Sequence, residues 1–423
     1  MKVSFDKQTL LSALNPAAGI SQTKNTLAAV DGLLFECPPN PRYGDYDTDN
    51  PNLCRISAFD LEKGLRATVD CRVLEPGLFI INTVKILQIV RTLPDGEVTL
   101  SIDGRGRVEI DGGSSHFEIT AQPGDDFPSM PMFIGERQYK IPQNTLRELI
   151  ARTAFAVGQN DQRAAFNGAL FRVRNGWLTV TGCDGNRLAT TRFPLGEDAP
   201  DADMIIPGRF LTELSKLLRD TDDAVTLILG RKNVIVKLDS LYFFTRMIDT
   251  EYTNYEKLLP SSYKTQVYVS RDELLGAMER ASVVSEDKLG GSGRAYVKLE
   301  LAGGEVSVSS VSSGGSVFEK LRATVEGAGL TIGFNCRYLL DALKVCPAEC
   351  DRLRIRLNKP LMGVVIEPAG GSGFLEAEPD ADFGEAAPTL YEQEESVPFL
   401  YYVMPINLHN TVTPANAPAG ERG

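Results

Sequence analysis

Asn82-Thr83-Val84-Lys85-Ile86-Leu87, Pro207-Gly208-Arg209-Phe210-Leu211-Thr212 and Asn335-Cys336-Arg337-Tyr338-Leu339-Leu340 are one helix start written three times. Each opens on a polar residue, proline or glycine. Apolar residues then follow three and four apart, the spacing of a helix packed on one face. The starts lie 125 and 128 residues apart. A second pattern keeps step with the first: a short β-like run, a polar break and an amphipathic helix. Val3-Ser4-Phe5-Asp6 leads to Leu10, Tyr139-Lys140-Ile141-Pro142 to Leu146, and Val267-Tyr268-Val269-Ser270 to Leu274. Those leucines fall 136 and 128 residues apart, so two helices recur at matching offsets and define an internal repeat.

Behind each second helix the residues alternate with period two. The predicted strands are Glu97 to Ile102, Val108 to Ile110 and His116 to Thr120 in the first copy. The second copy has Val225 to Leu229, Val234 to Leu238 and Leu241 to Met247, and the third Leu353 to Leu357, Gly363 to Ile366 and Tyr401 to Pro405. Short turns between them predict antiparallel hairpins. The fold class is α+β, with two helices on an antiparallel sheet in each copy. The predicted domains are 1–134, 135–262 and 263–408. From the first helix to the second is 72 residues in copy one and 61 in the others, which places an insertion at about 38–51. An acidic insertion is expected at about 370–396, and a disordered tail at 409–423.

The 423 residues carry 56 acidic and 44 basic side chains, a net charge of -12, which disfavours a surface that is basic all over. Two histidines, His116 and His409, are too few for a multi-histidine metal centre or for His-based catalysis. The seven cysteines have no disulfide-framework spacing, and reduced thiols are the expectation. Apolar runs are strand-sized and no signal segment is evident, so the chain reads as soluble and cytoplasmic. Phosphate-loop, zincin and nucleophile-elbow motifs are missing, and no carboxylates form a recognisable catalytic pair. From the residues alone an enzyme is possible but unsupported, and no cofactor or metal is expected.

Four segments in order on this repeat carry a family resemblance. They are Asn167-Gly168-Ala169-Leu170-Phe171, Thr181-Gly182-Cys183-Asp184-Gly185-Asn186-Arg187-Leu188-Ala189, Ile332-Gly333-Phe334-Asn335-Cys336-Arg337-Tyr338-Leu339-Leu340, and Tyr402-Val403-Met404-Pro405-Ile406-Asn407-Leu408. From Met1 to Leu408 the chain resembles the bacterial DNA polymerase III beta subunits, the sliding clamps. The resemblance implies three clamp domains per chain and a head-to-tail homodimer forming a six-domain ring around duplex DNA. It also implies a processivity factor that slides without sequence specificity and tethers polymerase, clamp loader and repair proteins by short peptides.

Arg91, Lys216 and Lys344 share one helix position in all three copies, which supports a phosphate-facing role independently. Lys85, Arg209 and Arg337 lie near the starts of the same helices. Arg147, Arg152, Arg271 and Arg280 sit on the first helices, and Lys24 and Arg163 match DNA-contacting positions of the family. The implied peptide cleft comprises Leu170, Cys183, Gly185, Asn186, Arg187 and Leu188, then Thr253, Lys257 and Leu258. Leu289, Asn335, Tyr338, Leu361, Gly363, Tyr402, Met404, Pro405, Ile406, Asn407 and Leu408 complete it, with Met404, Leu188 and Leu258 expected as its floor. Phe117 and Ile119 are expected to face Val283 and Val284 across the dimer contact.

Several residues depart from the family pattern. Asn186 replaces a histidine, Thr253 a proline, and Ser312-Ser313-Gly314-Gly315-Ser316 an acidic cluster that often faces a basic edge. The acidic insertion and the tail are both expected to leave the chain beside the cleft. Read from residues alone, two other functions stay open. One is an α+β repeat hydrolase using carboxylates, which would turn over as a monomer. The other is a ring scaffold unrelated to DNA.

Overall fold

The structure, a computed structural model, describes residues 1–20, 28–39, 50–130, 137–260, 262–285, 296–312, 315–347, 350–369 and 399–408. Lys24, Leu289, most of the 38–51 insertion, the acidic insertion and the tail lie outside them.

The first repeat runs β1 (Lys2–Asp6), α1 (Lys7–Ala18), β2 (Gly32–Cys37), β3 (Leu53–Phe59), β4 (Lys63–Asp70) and the short β5 (Arg72–Glu75). It continues with β6 (Gly77–Asn82), α2 (Thr83–Thr92), β7 (Glu97–Ile102), β8 (Arg107–Gly112) and β9 (Ser115–Pro123). The second repeat has β10 (Arg137–Pro142), α3 (Gln143–Ala154), β11 (Gly168–Arg174), β12 (Trp177–Cys183) and β13 (Arg187–Pro194). Then come β14 (Ala202–Pro207), α4 (Gly208–Leu217), β15 (Ala224–Leu229), β16 (Asn233–Leu238) and β17 (Leu241–Arg246). The third has β18 (Thr265–Ser270), α5 (Arg271–Ser285), β19 (Tyr296–Ala302), β20 (Glu305–Ser312) and β21 (Gly315–Gly327). It ends with β22 (Leu330–Asn335), α6 (Cys336–Val345), β23 (Arg352–Leu357), β24 (Val364–Ala369) and β25 (Phe399–Val403).

Each repeat is thus two consecutive strand–helix–three-strand motifs. The three strands after each first helix were not anticipated, because their sequences mix full burial with alternation; β3, for example, is buried along its whole length. The helices were legible because caps and stripes agree. Asn82 accepts from the Lys85 amide at 3.0 Å and Asn335 from the Arg337 amide at 3.0 Å, closing the first turns of α2 and α6. On α6, Cys336, Leu339, Leu340 and Leu343 face the core while Arg337 and Lys344 stay exposed.

All strand pairs are antiparallel, in a 13-stranded and a 12-stranded sheet. The chain divides into two compact units: residues 1–147 with 209–249, and residues 148–208 with 250–423. The first sheet belongs to the first unit and the second sheet to the second, so the middle repeat contributes strands to both. In the first unit α1 packs on α2, and in the second α5 packs on α6, each pair against its sheet.

Two expectations need correction here. The thiols are not all reduced: Cys37 and Cys54 form a disulfide, their Cα atoms 4.6 Å apart. They follow Glu36 and precede Arg55, which are paired in the β2–β3 ladder, so antiparallel pairing puts them opposite each other. The acidic insertion does not start beside Met404. β24 and β25 pair as Val364↔Val403, Val365↔Tyr402 and Ile366↔Tyr401, so the insertion leaves at the Ala369/Phe399 end of the hairpin. Gly363 and Met404 stand at the other end, five residues or about 17 Å of strand away.

Candidate functional site

In the second unit the turn from β12 to β13 is held by one carboxylate. Asp184 Oδ1 accepts from the amides of Asn186 at 2.9 Å and Arg187 at 3.0 Å. Gly185 has φ +88°, where only glycine is free of strain, and a side chain there would strike the Arg163 guanidinium. Arg163 stacks 4.0 Å over the Phe166 ring and grips Asp161 through Nε and Nη2, both at 3.0 Å.

That grip holds the Asp161 carboxyl down to about 2, through the side-chain hydrogen bond from Arg163 first and the Arg163 amide second. A depressed carboxylate pKa stabilises the fold above its unfolded value of roughly 4, and the contribution is lost as pH falls through 2. Asp161→Asn is therefore expected to lower the melting temperature by a constant amount above pH 4, with the gap to wild type narrowing between pH 4 and 2. A gap independent of pH over that range would show that the pair is not linked to folding.

Arg187 joins the β12–β13 turn to the third repeat. Its guanidinium donates to Asp184 at 3.0 Å, to Asp341 on α6 at 2.7 Å and to the Phe155 carbonyl at 2.6 Å, and lies 4.3 Å over the Tyr338 ring. Beside it β25 adds to β13, from Phe399↔Thr191 to Val403↔Arg187. The chain then turns outward: Met404 N donates to the Asn186 carbonyl at 2.8 Å and Ile406 N to the Gly333 carbonyl at 2.8 Å. Tyr402 lies on Gly363, where any side chain would collide with the ring, and its hydroxyl points to Met404 Sδ at 3.4 Å. The result is an apolar surface around Met404, Leu361 and Met362, all exposed, with Ile406 and Leu408 half-buried next to Gly333. Tyr252 donates to the Thr181 carbonyl at 3.2 Å and the buried Tyr255 bonds Thr181 and Thr190, which anchors the short turn that exposes Leu258.

Sequence models of three consecutive domains match almost the whole chain: the N-terminal domain of the DNA polymerase III beta subunit over residues 1–131, its central domain over 140–254 and its C-terminal domain over 256–377. The chain belongs to the DNA polymerase III beta subunit family. It is 27% identical over 372 residues to the beta sliding clamp of Escherichia coli, covering 87% of this chain and 96% of that protein. Over 371 residues it is 28% identical to the beta sliding clamp of Vibrio cholerae, covering 87% and 96%. A crystal structure of a sliding clamp, DNA polymerase III subunit beta, from Pseudomonas aeruginosa bound to griselimycin superimposes with a TM-score of 0.80. The two are 25% identical over 96% of this chain and 100% of that one.

Of the cations expected to face DNA in this chain, Lys85, Arg91, Arg147, Arg209, Lys216, Arg337 and Lys344 are exposed. Arg209 and Lys216, and likewise Arg337 and Lys344, stand seven residues apart and so share a helix face. Arg91 donates to Asn15 at 2.6 Å and Lys216 to Glu213 at 2.9 Å, both at the surface where such bonds exchange readily with phosphate. Arg163 and Arg280 are exposed but already paired, Arg280 with Glu319 at 2.6 Å.

Two of the set are unsuited to DNA. Arg152 is 5% exposed and ion-paired with Glu148 one turn earlier. Arg271 staples the start of α5 to the Cys346 and Pro347 carbonyls at the end of α6, both at 3.3 Å. Arg152 stands three residues after the buried Leu149, on the core side of α3, and sequence spacing did not resolve that.

The cleft residues also divide. Leu170, Cys183, Leu188 and Gly363 are buried in the chain, with the Cys183 thiol pushed up by burial. Leu188, opposite Tyr402 in the β13–β25 ladder, is therefore core rather than open floor. Gly185, Asn186, Thr253, Lys257, Leu258, Leu361, Met404 and Asn407 are exposed, while Arg187, Asn335, Tyr338, Tyr402, Pro405, Ile406 and Leu408 are half-buried. Met362, which the sequence reading did not single out, is exposed beside Leu361. Phe117, Ile119 and Val284 are half-buried and Val283 is 81% exposed. Among the described residues no helix is long and apolar enough to cross a membrane.

Proposed function

We propose that this chain is the processivity factor of a bacterial replicative DNA polymerase, working in the cytoplasm. Two copies, each of three domains at about 1–134, 135–262 and 263–408, close head to tail into a six-domain ring around duplex DNA. The observation that carries this reading is the threefold return of an exposed cation at the end of the second helix, Arg91, Lys216 and Lys344. Weak, repeated phosphate contacts of this kind hold a ring on DNA without stopping it, and ask nothing of base sequence. Retention by topology also suits a net charge of -12. The chain has an accessory role and no chemistry of its own. The decisive experiment is loading onto nicked circular DNA: the protein should stay on circles, run off when they are linearised, and lengthen the products of its polymerase.

The exposed patch around Met404 is the seat for short apolar peptides of the polymerase, the clamp loader and repair proteins. A methionine suits several partners because its unbranched side chain repacks. Met404 is 38% exposed in the chain and loses that surface under a peptide. Met404→Ala should weaken binding of a fluorescent peptide from the polymerase by roughly tenfold, about 1.4 kcal/mol. An unchanged anisotropy titration would move the seat elsewhere.

A further inference from the structure

The surface around Met404 is held from behind by one arginine. Each guanidinium nitrogen of Arg187 donates: Nε to Asp184 at 3.0 Å, Nη1 to Asp341 at 2.7 Å and Nη2 to the Phe155 carbonyl at 2.6 Å. The rings of Tyr338 and Phe155 lie 4.3 and 5.4 Å from it, and only 10% of the side chain reaches solvent. A guanidinium engaged at every nitrogen and flanked by two rings acts as a strut rather than as a donor to a peptide. One end of the strut is the β12–β13 turn, whose Asn186 carbonyl accepts from Met404 N at 2.8 Å. The other end is α6, which carries Tyr338 and Asp341. A second tie runs beside the first. Tyr401 Oη, on β25 three residues before Met404, donates to the Tyr338 carbonyl at 2.9 Å, and its ring packs 5.7 Å from that of Phe155. The turn and the strand that present Met404 are thus both fastened to one turn of α6.

The first unit contains the same joint without the strut. There β17 adds to β4, and Lys63, opposite Thr245, stands where Arg187 stands opposite Val403. Glu213, three residues before Lys216, stands where Asp341 does before Lys344. The charges match, yet each is answered locally: Lys63 pairs with Asp60 at 2.8 Å and Glu213 with Lys216 at 2.9 Å. Only in the second unit does the arginine reach across to the carboxylate of the next repeat. Asp341 is also oddly placed for a helix expected to meet phosphate. It follows Arg337 by four residues and precedes Lys344 by three, so it lies on the same side of α6 as those two cations. With 27% of its side chain exposed, an unanswered carboxylate there would repel DNA, and Arg187 answers it.

We propose that Asp341 is a positioning residue of the peptide seat: by holding Arg187 it fixes the β12–β13 turn, and Met404 with it, against α6. This rests on the Met404 seat proposed above and adds the third repeat's helix to it. Arg187, with its long stem behind the turn, supplies the reach, and Asp341 supplies the fixed end on a helix. Because the pair neutralises itself, the seat is braced on a helix whose other charges stay available to phosphate. The two sites therefore respond to Asp341 with opposite signs. Removing its charge loosens the seat, and the same change relieves repulsion beside Arg337 and Lys344.

The test is the full-length chain carrying Asp341→Asn, read in two titrations. The fluorescent polymerase peptide should bind about fivefold more weakly, through the loss of one charge-assisted bond behind the seat. A short fluorescent duplex at low salt should bind as tightly as to wild type or more tightly, since a negative charge beside two cations is gone. Arg187→Lys should weaken the peptide to a similar degree. The double variant should be no weaker than the weaker single, because both changes break the same strut. Peptide affinity within about twofold of wild type for Asp341→Asn would overturn the positioning role. So would single effects that multiply in the double variant. Weaker binding of both peptide and duplex, with a lowered melting temperature, would overturn it too, since a merely structural pair behaves that way. Met404→Ala in the same titration separates the seat from its brace: if that variant also binds the peptide like wild type, the seat lies elsewhere and the brace falls with it.

Discussion

On the ring proposed above, chains carrying Val283→Arg with Val284→Arg should sediment as monomers at concentrations where the wild type sediments as a dimer. Both valines lie at the end of α5, which packs on β20 and β21, and Arg280 on the same helix grips Glu319 of β21. Val283 is 81% exposed in the single chain, so its apolar surface gains only when something covers it. Burying two unpaired guanidinium groups in that contact costs about 3–5 kcal/mol, or roughly two to four powers of ten in the dissociation constant. Because Val283 is a surface residue, Val283→Arg alone should barely move the melting temperature of the monomer. An unchanged dimer constant would take this end of α5 out of the interface.

A comparable loss is expected from Arg91→Glu, Lys216→Glu and Lys344→Glu combined. Each dimer would lose about six phosphate contacts, so the slope of log affinity against log salt should fall by about five. At low salt the association should weaken by at least 100-fold, on the order of 3 kcal/mol. The fold should survive, since the hydrogen bond of Arg91 to Asn15 and the Lys216–Glu213 pair are at the surface and contribute little. Glu62→Lys, in the exposed turn before β4, is the control that should leave the slope alone. Equal loading and an equal salt slope for the triple variant would mean that these helix ends do not meet DNA.

Reading the stretch after the second helix as strands succeeded because β7 and β23 each alternate strictly between exposed or half-exposed and buried positions. The strands between the helices escaped notice where both faces are covered, as in β3, since full burial erases the period. The site showed the same split. The cations at Arg91, Lys216 and Lys344 could be aligned by counting, because a helix repeats its face every few residues. Arg152, placed only by its position on a first helix, is buried, and Leu188 proved to be core, because each depends on what the rest of the fold lays over it.

What the amino-acid order determined by itself is local: three repeats, two amphipathic helices in each, and hairpins whose turn residues permit them. Those features involve residues a few positions apart, where backbone preference and periodicity act directly. Only the tertiary structure decided that β4 receives β17 and β13 receives β25, strands separated by more than a hundred and fifty residues. It also decided which end of the β24–β25 hairpin carries the acidic insertion, and that Cys37 meets Cys54. Pairing between distant strands carries no period along the chain; it is selected by the packing of whole faces, and so it is legible only once those faces are in place.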